Sequence, residues 1–146
     1  CAMLDMFPHL AVSTAMVIVT VIIHGFGLAL YGRILRGEAM AERAHHLPTF
    51  SPRTVAFTLV LVLALFALHG FEIWLYAAVY LVIGAIGNLE TAVYFSTISY
   101  AGIGYDDRYI NPIWRLVAGI EGINGVLLLG WSTAFFVAMV SRLGRT

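Results

Sequence analysis

His24, His69, Glu72, Glu121 and Asn124 each interrupt a stretch that is otherwise apolar, and residues 102–112 form a short segment rich in Gly, Asp and Asn. A carboxylate in apolar surroundings is expensive enough to require a partner. Glu121 and Asn124 lie one helical turn apart, so Glu121 either joins an ion path or accepts hydrogen bonds from a neighbouring helix; the supporting role is the one expected. His69 and Glu72 share a helix face at i and i+3, a spacing that fits a pH-sensitive pair or a weak metal site. Two ligands are too few for a metal centre, and satisfied contacts between helices are the plainer role. The adjacent His45 and His46 fall in a polar segment and read as solvated. Cys1 is the only cysteine, which excludes an intrachain disulfide, and no CxxC or Cys/His spacing suggests a structural metal or a cofactor. No nucleophile and base stand at a useful spacing, so an enzyme is not expected.

These residues need a scaffold, and the composition says which kind. Of 146 residues, 61% are hydrophobic and 11% charged, against roughly 45–50% and 25% in soluble domains. The expected surroundings are a lipid bilayer. Eight basic residues, all arginine, balance eight acids, so charge gives no reason to expect nucleic acid as a partner. Residues 10–31 contain one ionisable group, His24, and about 20 apolar residues cross a hydrocarbon core of about 30 Å. No basic segment precedes this stretch and it is too long for a signal-peptide core, so it reads as a transmembrane helix, 10–35, after an external N-terminus, 1–9. A polar cytoplasmic loop, 36–53, follows, with Pro48 and Pro52 near its end.

Residues 54–86 are apolar except for His69 and Glu72 and would form a helix of roughly 50 Å. Such a helix either tilts and protrudes or bends near Gly70. Trp74, Tyr76 and Tyr80 are expected as interfacial anchors, and Gly87 with Asn88 as the interruption. Residues 89–101 are too short to span and read as a re-entrant helix, with Glu90 complementing the dipole at its start. The tight loop 102–107 follows, then a last span at 114–142, where Gly119, Gly122, Gly125 and Gly130 suit close packing. Arg33, Arg36, Arg43 and Arg53 lie between the first two spans, and Arg142 and Arg145 follow the third. The positive-inside rule therefore puts the N-terminus and the 102–112 hairpin outside and the C-terminus in the cytoplasm. No helix carries arginine at every third position, the mark of a voltage sensor.

The run Tyr94-Phe95-Ser96-Thr97-Ile98-Ser99-Tyr100-Ala101-Gly102-Ile103-Gly104-Tyr105-Asp106-Asp107 resembles, without a gap, the pore helix and filter of potassium channels, whose pattern ends T-T-V/L-G-Y-G-D. Trp114-Arg115-Leu116-Val117-Ala118-Gly119 and residues 125–134 are similar to that family's inner helix. Residues 54–142 as a whole look like the pore module of small prokaryotic potassium-channel-like (two-pore-domain) proteins, with an added N-terminal helix and a divergent filter. The resemblance implies an all-α membrane protein: three transmembrane helices plus a re-entrant pore helix and filter loop, assembled as a homotetramer in the bacterial inner membrane. It implies a filter of Gly102, Ile103, Gly104, Tyr105 and Asp106, whose backbone carbonyls would replace the hydration shell of a permeant cation, potassium first. It further implies an acidic outer mouth of Asp106 and Asp107, an inner cavity lined by Val126, Leu129, Thr133 and Val137, a hinge at Gly125, and Glu121 as filter support. Ala101 and Gly102 stand where the family has two threonines, and Asp106 where it has its second filter glycine. These departures leave two alternatives open: a non-selective, sodium- or calcium-permeable channel, and a non-conducting homologue that serves as a structural subunit of a membrane complex.

Overall fold

In a computed structural model every element among the described residues is helical: α1 (Ala2–Arg43), α2 (Pro52–Val82), a short α3 (Leu89–Tyr100), a 3-10 turn (Pro112–Trp114) and α4 (Arg115–Leu143). The structure describes residues 2–43, 52–104 and 106–143. Cys1, His45, His46, Pro48, Tyr105 and Arg145 fall outside them, as do the side chains of Arg36, Arg43 and Arg142. Among the described residues three segments are long and apolar enough to cross a membrane: Met6–Leu35, Pro52–Val82 and Pro112–Ser141. The protein is therefore multi-pass.

Both ends of α1 pass the expected boundaries at 10 and 35. Beyond Gly37 the residues Glu38, Ala39, Met40, Ala41 and Glu42 all favour helix, so nothing stops it before Arg43. At about 1.5 Å per residue its 42 residues reach about 63 Å, twice a hydrocarbon core. α2 runs unbroken through Gly70 and ends four residues earlier than expected. Its stop signal is Gly84, at φ +68°. The Gly84 N–H donates to Leu81 O (3.1 Å) and the Ala85 N–H to Tyr80 O (2.8 Å), a pair of bonds that closes a helix through a left-handed glycine. The expected interruption at Gly87 and Asn88 instead serves α3: Asn88 Oδ1 accepts from the Thr91 N–H at 2.8 Å and caps the helix. Glu90 sits in the first turn, where it complements the dipole without being the cap.

Long-range bonds give the directions of the helices. Thr20 meets Asn124 and His24 meets Ser132, so α1 and α4 run parallel. His24 meets Glu72 and Tyr31 meets Ala64, so α2 runs against α1. α3 wedges between α2 and α4, burying Ala92, Phe95 and Tyr100 in one core with Tyr76, Tyr80, Val117 and Leu128. A second core toward the other end joins Leu28 and Leu35 of α1 to Phe57, Leu61, Leu65 and Met139. α1 thus belongs to the body of the molecule.

Candidate functional site

The loop after α3 is shaped by where its N–H groups go. Gly102 N–H donates to Ser99 O (3.0 Å), while Ile103 and Gly104 N–H both donate to Ile98 O (3.0 and 3.3 Å). The loop curls back over the last turn of α3, with Gly102 at φ +69° and Gly104 at φ +110°. Gly102 is therefore the left-handed residue that closes α3, which gives a physical reason for glycine where the family pattern has threonine. Its lost Cβ matters twice, because one built there would meet Val126 Cγ2 at 2.9 Å. Among the described residues the carbonyls of 101–104 accept no hydrogen bond, and all four residues are exposed. A backbone with its donors spent inward and its acceptors free can present oxygen atoms to a cation. Tyr105, the next expected filter residue, lies outside the described residues.

In the hairpin after the loop, each carboxylate expected at an outer mouth has an arginine. Asp106 accepts from Arg108 Nε (2.8 Å to Oδ2, 3.0 Å to Oδ1), from Nη2 (2.5 Å), and from the Arg108 backbone N–H at 2.9 Å. These bonds, the side-chain ones foremost, hold the Asp106 carboxyl at about 2, well under the usual carboxylate value. Asp107 lies 3.4 Å from Arg115. Within the chain, then, the carboxylates of Asp106 and Asp107, expected at an acidic outer mouth, are each compensated by an arginine. Further along, Asn111 N–H donates to Ala85 O at 2.9 Å, tying the hairpin to the α2–α3 turn.

Behind the loop, Glu121 is buried, with Oε1 accepting from Ser96 of α3 (2.5 Å) and Oε2 from Tyr80 of α2 (2.5 Å). Ser96 also reaches Ile73 O at 3.0 Å. One carboxylate thus joins three helices beneath the loop and away from its exposed face. Asn124 donates to Thr20 (2.8 Å) and Tyr76 (3.2 Å), adding α1. Tyr76 and Tyr80, expected at the interface, are buried partners of these polar groups, while Trp74 is exposed. Gly125 has a packing role on the same face: a Cβ there would lie 2.1 Å from Tyr100 O, and one at Gly122 3.1 Å from Ser99 O. α4 can approach the end of α3 only without side chains at these positions. Of the expected cavity residues, Val126, Thr133 and Val137 are exposed on α4, whereas Leu129 packs against the core.

A further polar group, between α1, α2, α3 and α4, is a closed ring. His24 Nδ1 meets Glu72 Oε1 (3.0 Å), Glu72 Oε2 accepts from Tyr100, Tyr100 Oη meets His69 Nδ1 (3.0 Å), His69 Nε2 meets Ser132 Oγ (3.0 Å), and Ser132 Oγ meets His24 Nε2 (3.2 Å). Five groups share five bonds, and one proton per bond leaves the ring with no net charge. That neutrality makes an intramembrane Glu and two His tolerable. The i, i+3 spacing points to His69 with Glu72; the partners from α1, α3 and α4 carry no local signal, because they lie 28 or more residues away in the chain. Arg108 was legible, two residues from Asp106, but its pairing depends on the turn that the Asp106 side chain makes with the Arg108 N–H.

A family model described as ion channel matches residues 57–142, more than half of the chain and nearly all of α2, α3 and α4. No curated protein and no solved structure matches.

Proposed function

Because the chain belongs to the ion-channel family, we propose that this membrane protein forms a cation pore with three further copies of itself, potassium being the preferred ion and the carbonyls of residues 102–106 the narrow filter. The observation that carries this reading is the division of labour in the loop: N–H groups turned onto α3, carbonyls free among the described residues, and left-handed angles at Gly102 and Gly104. Side chains would block such an arrangement; glycine permits it. Support for further copies comes from a groove of about 450 Å³ bounded by Ser99, Gly102, Gly104, Gly122, Ile123 and Val126. Ser99 Oγ is buried there without a partner among the described residues, a state that costs about 1–3 kcal/mol unless a neighbouring molecule or water completes it. The arginine at each mouth carboxylate favours the potassium reading over a calcium-permeable one, since a compensated ring has less pull on a divalent ion. In this reading the loop opens outside, the C-terminus lies in the cytoplasm, and the membrane is the bacterial inner one. Val126, Thr133 and Val137 line the inner cavity.

Flux through purified protein in liposomes, compared under potassium, sodium and calcium gradients, tests it with Gly104→Ala beside the parent. A Cβ at Gly104 meets nothing within 4 Å, so alanine changes only the backbone preference at φ +110°. Selective potassium flux that falls at least about tenfold in Gly104→Ala, with assembly unchanged, is expected. Equal flux of all three cations would move the reading to a non-selective pore; no flux from verified tetramers would move it to a structural subunit.

A further inference from the structure

The ring of His24, His69, Glu72, Tyr100 and Ser132 also has the donor set of a transition-metal site, and we propose that it binds a borderline divalent ion of the zinc class. His24, His69 and Glu72 place one ligand atom each within 4.8 Å of the others. The two Nδ1 atoms face the same carboxylate at 3.0 and 3.5 Å, and Tyr100 Oη stands 3.0 Å from His69 Nδ1 as a fourth donor. Metal bonds of about 2.0–2.1 Å in a tetrahedron separate neighbouring donor atoms by about 3.3 Å, so small shifts suffice to admit the ion. Two imidazoles with two oxygen donors suit zinc, and cobalt as its spectroscopic substitute, better than magnesium or calcium.

The outer nitrogens are already arranged for this. A ligating imidazole donates its other N–H to an oriented acceptor. Here both Nε2 atoms converge on one hydroxyl, Ser132 Oγ, at 3.0 and 3.2 Å, and its two lone pairs can accept both. The proton balance closes. In the metal-free ring each of five bonds holds one proton. With the ion bound, each histidine keeps a single proton, on Nε2, and Ser132 keeps its own. One proton leaves if Tyr100 stays protonated, and two leave if it coordinates as phenolate, which makes the centre neutral. His24 and Glu72 are wholly buried and the His69 side chain is 12% exposed, so His69 is the point of entry. A bound ion would tie α1 to α2 at the residue that leads into the loop, Tyr100.

The test uses the full-length protein in detergent, stripped with chelator and titrated with Co²⁺, then with Zn²⁺. Expected is one Co²⁺ per chain with the intense visible absorption of tetrahedral coordination, displaced by Zn²⁺ with release of acid. His24→Ala and Glu72→Gln remove the absorption. Ser132→Ala keeps it but weakens affinity about 10–100-fold, the usual effect of losing an orienting partner. Parent protein that retains no Co²⁺, or gives only the weak spectrum of the hydrated ion, overturns the proposal whether or not the variants fold. So does tetrahedral absorption that survives unchanged in His24→Ala. None of these readouts uses ion flux, so the outcome is independent of the conduction reading.

Discussion

At Asp106 the carboxylate is held by a single neighbour, Arg108, itself largely exposed. A carboxyl brought down to about 2 supports the loop fully above its ordinary value near 4 and loses that support only as pH falls through about 2. Flux measured between pH 4 and 8 is therefore expected to run parallel in the parent and in Asp106→Asn. Arg108→Gln, which unmasks the acid, is expected to raise cation flux about two- to threefold at low ionic strength, with the gain vanishing near 1 M salt, where the screening length is about 3 Å. Gly125 is a different kind of residue: its missing Cβ is occupied space, 2.1 Å from a backbone oxygen. Gly125→Ala is expected to cost about 3 kcal/mol or more, read as a lower unfolding temperature in detergent. A residue that acted only as a hinge would leave that temperature unchanged.

Among the elements, α1 departs most from its outward description. It lies wholly outside the stretch matched by the family model, yet it supplies His24 to Glu72 and Thr20 to Asn124. Its backbone comes close as well, since a Cβ on Gly27 would meet Leu68 Cδ1 at 2.8 Å. A chain lacking residues 1–51 leaves a buried carboxylate and a buried amide short of partners, each at about 1–3 kcal/mol or more. Aggregated or monomeric protein on size-exclusion chromatography is the expected outcome. α3 is a further case in which closing a helix and building a site are one event. The residue that ends it, Gly102, also begins the loop, so Gly102→Thr would both strain a left-handed position and press on Val126.

On the scale of the molecule, polar nodes tie the helices together at three depths: Glu121 with Ser96 and Tyr80, Asn124 with Thr20 and Tyr76, and the ring through His24 and Glu72. In lipid, apolar surface does not drive helices together, so such nodes and close glycine contacts carry the specificity of packing. What they leave open is the face bearing Ile103, Ile123, Val126 and Leu127, all exposed. Chemical cross-linking of the protein in membranes is expected to give a ladder ending at four subunits, and a ladder ending at two would count against the fourfold pore. Much of the architecture was legible beforehand, because apolar length, a segment too short to span and a glycine-rich loop are local properties. The limits of α1 and α2 were less so, since the stop at Gly84 is a matter of backbone angle that glycine permits but does not announce.

The letters by themselves determined three segments long and apolar enough to cross a membrane among the described residues, a short helix between the last two that is too brief to cross, and a glycine loop after it; each follows from hydropathy and length counted along the chain. Only the tertiary structure decided which polar side chains meet. His24 finds Glu72 across 48 residues, Glu121 finds Tyr80 across 41, and the tyrosines expected at the interface turn inward to serve them. The reason is physical: in an apolar medium a buried polar group must be paired, but the pairing is chosen by how the helices cross, a relation that no window of neighbouring residues contains.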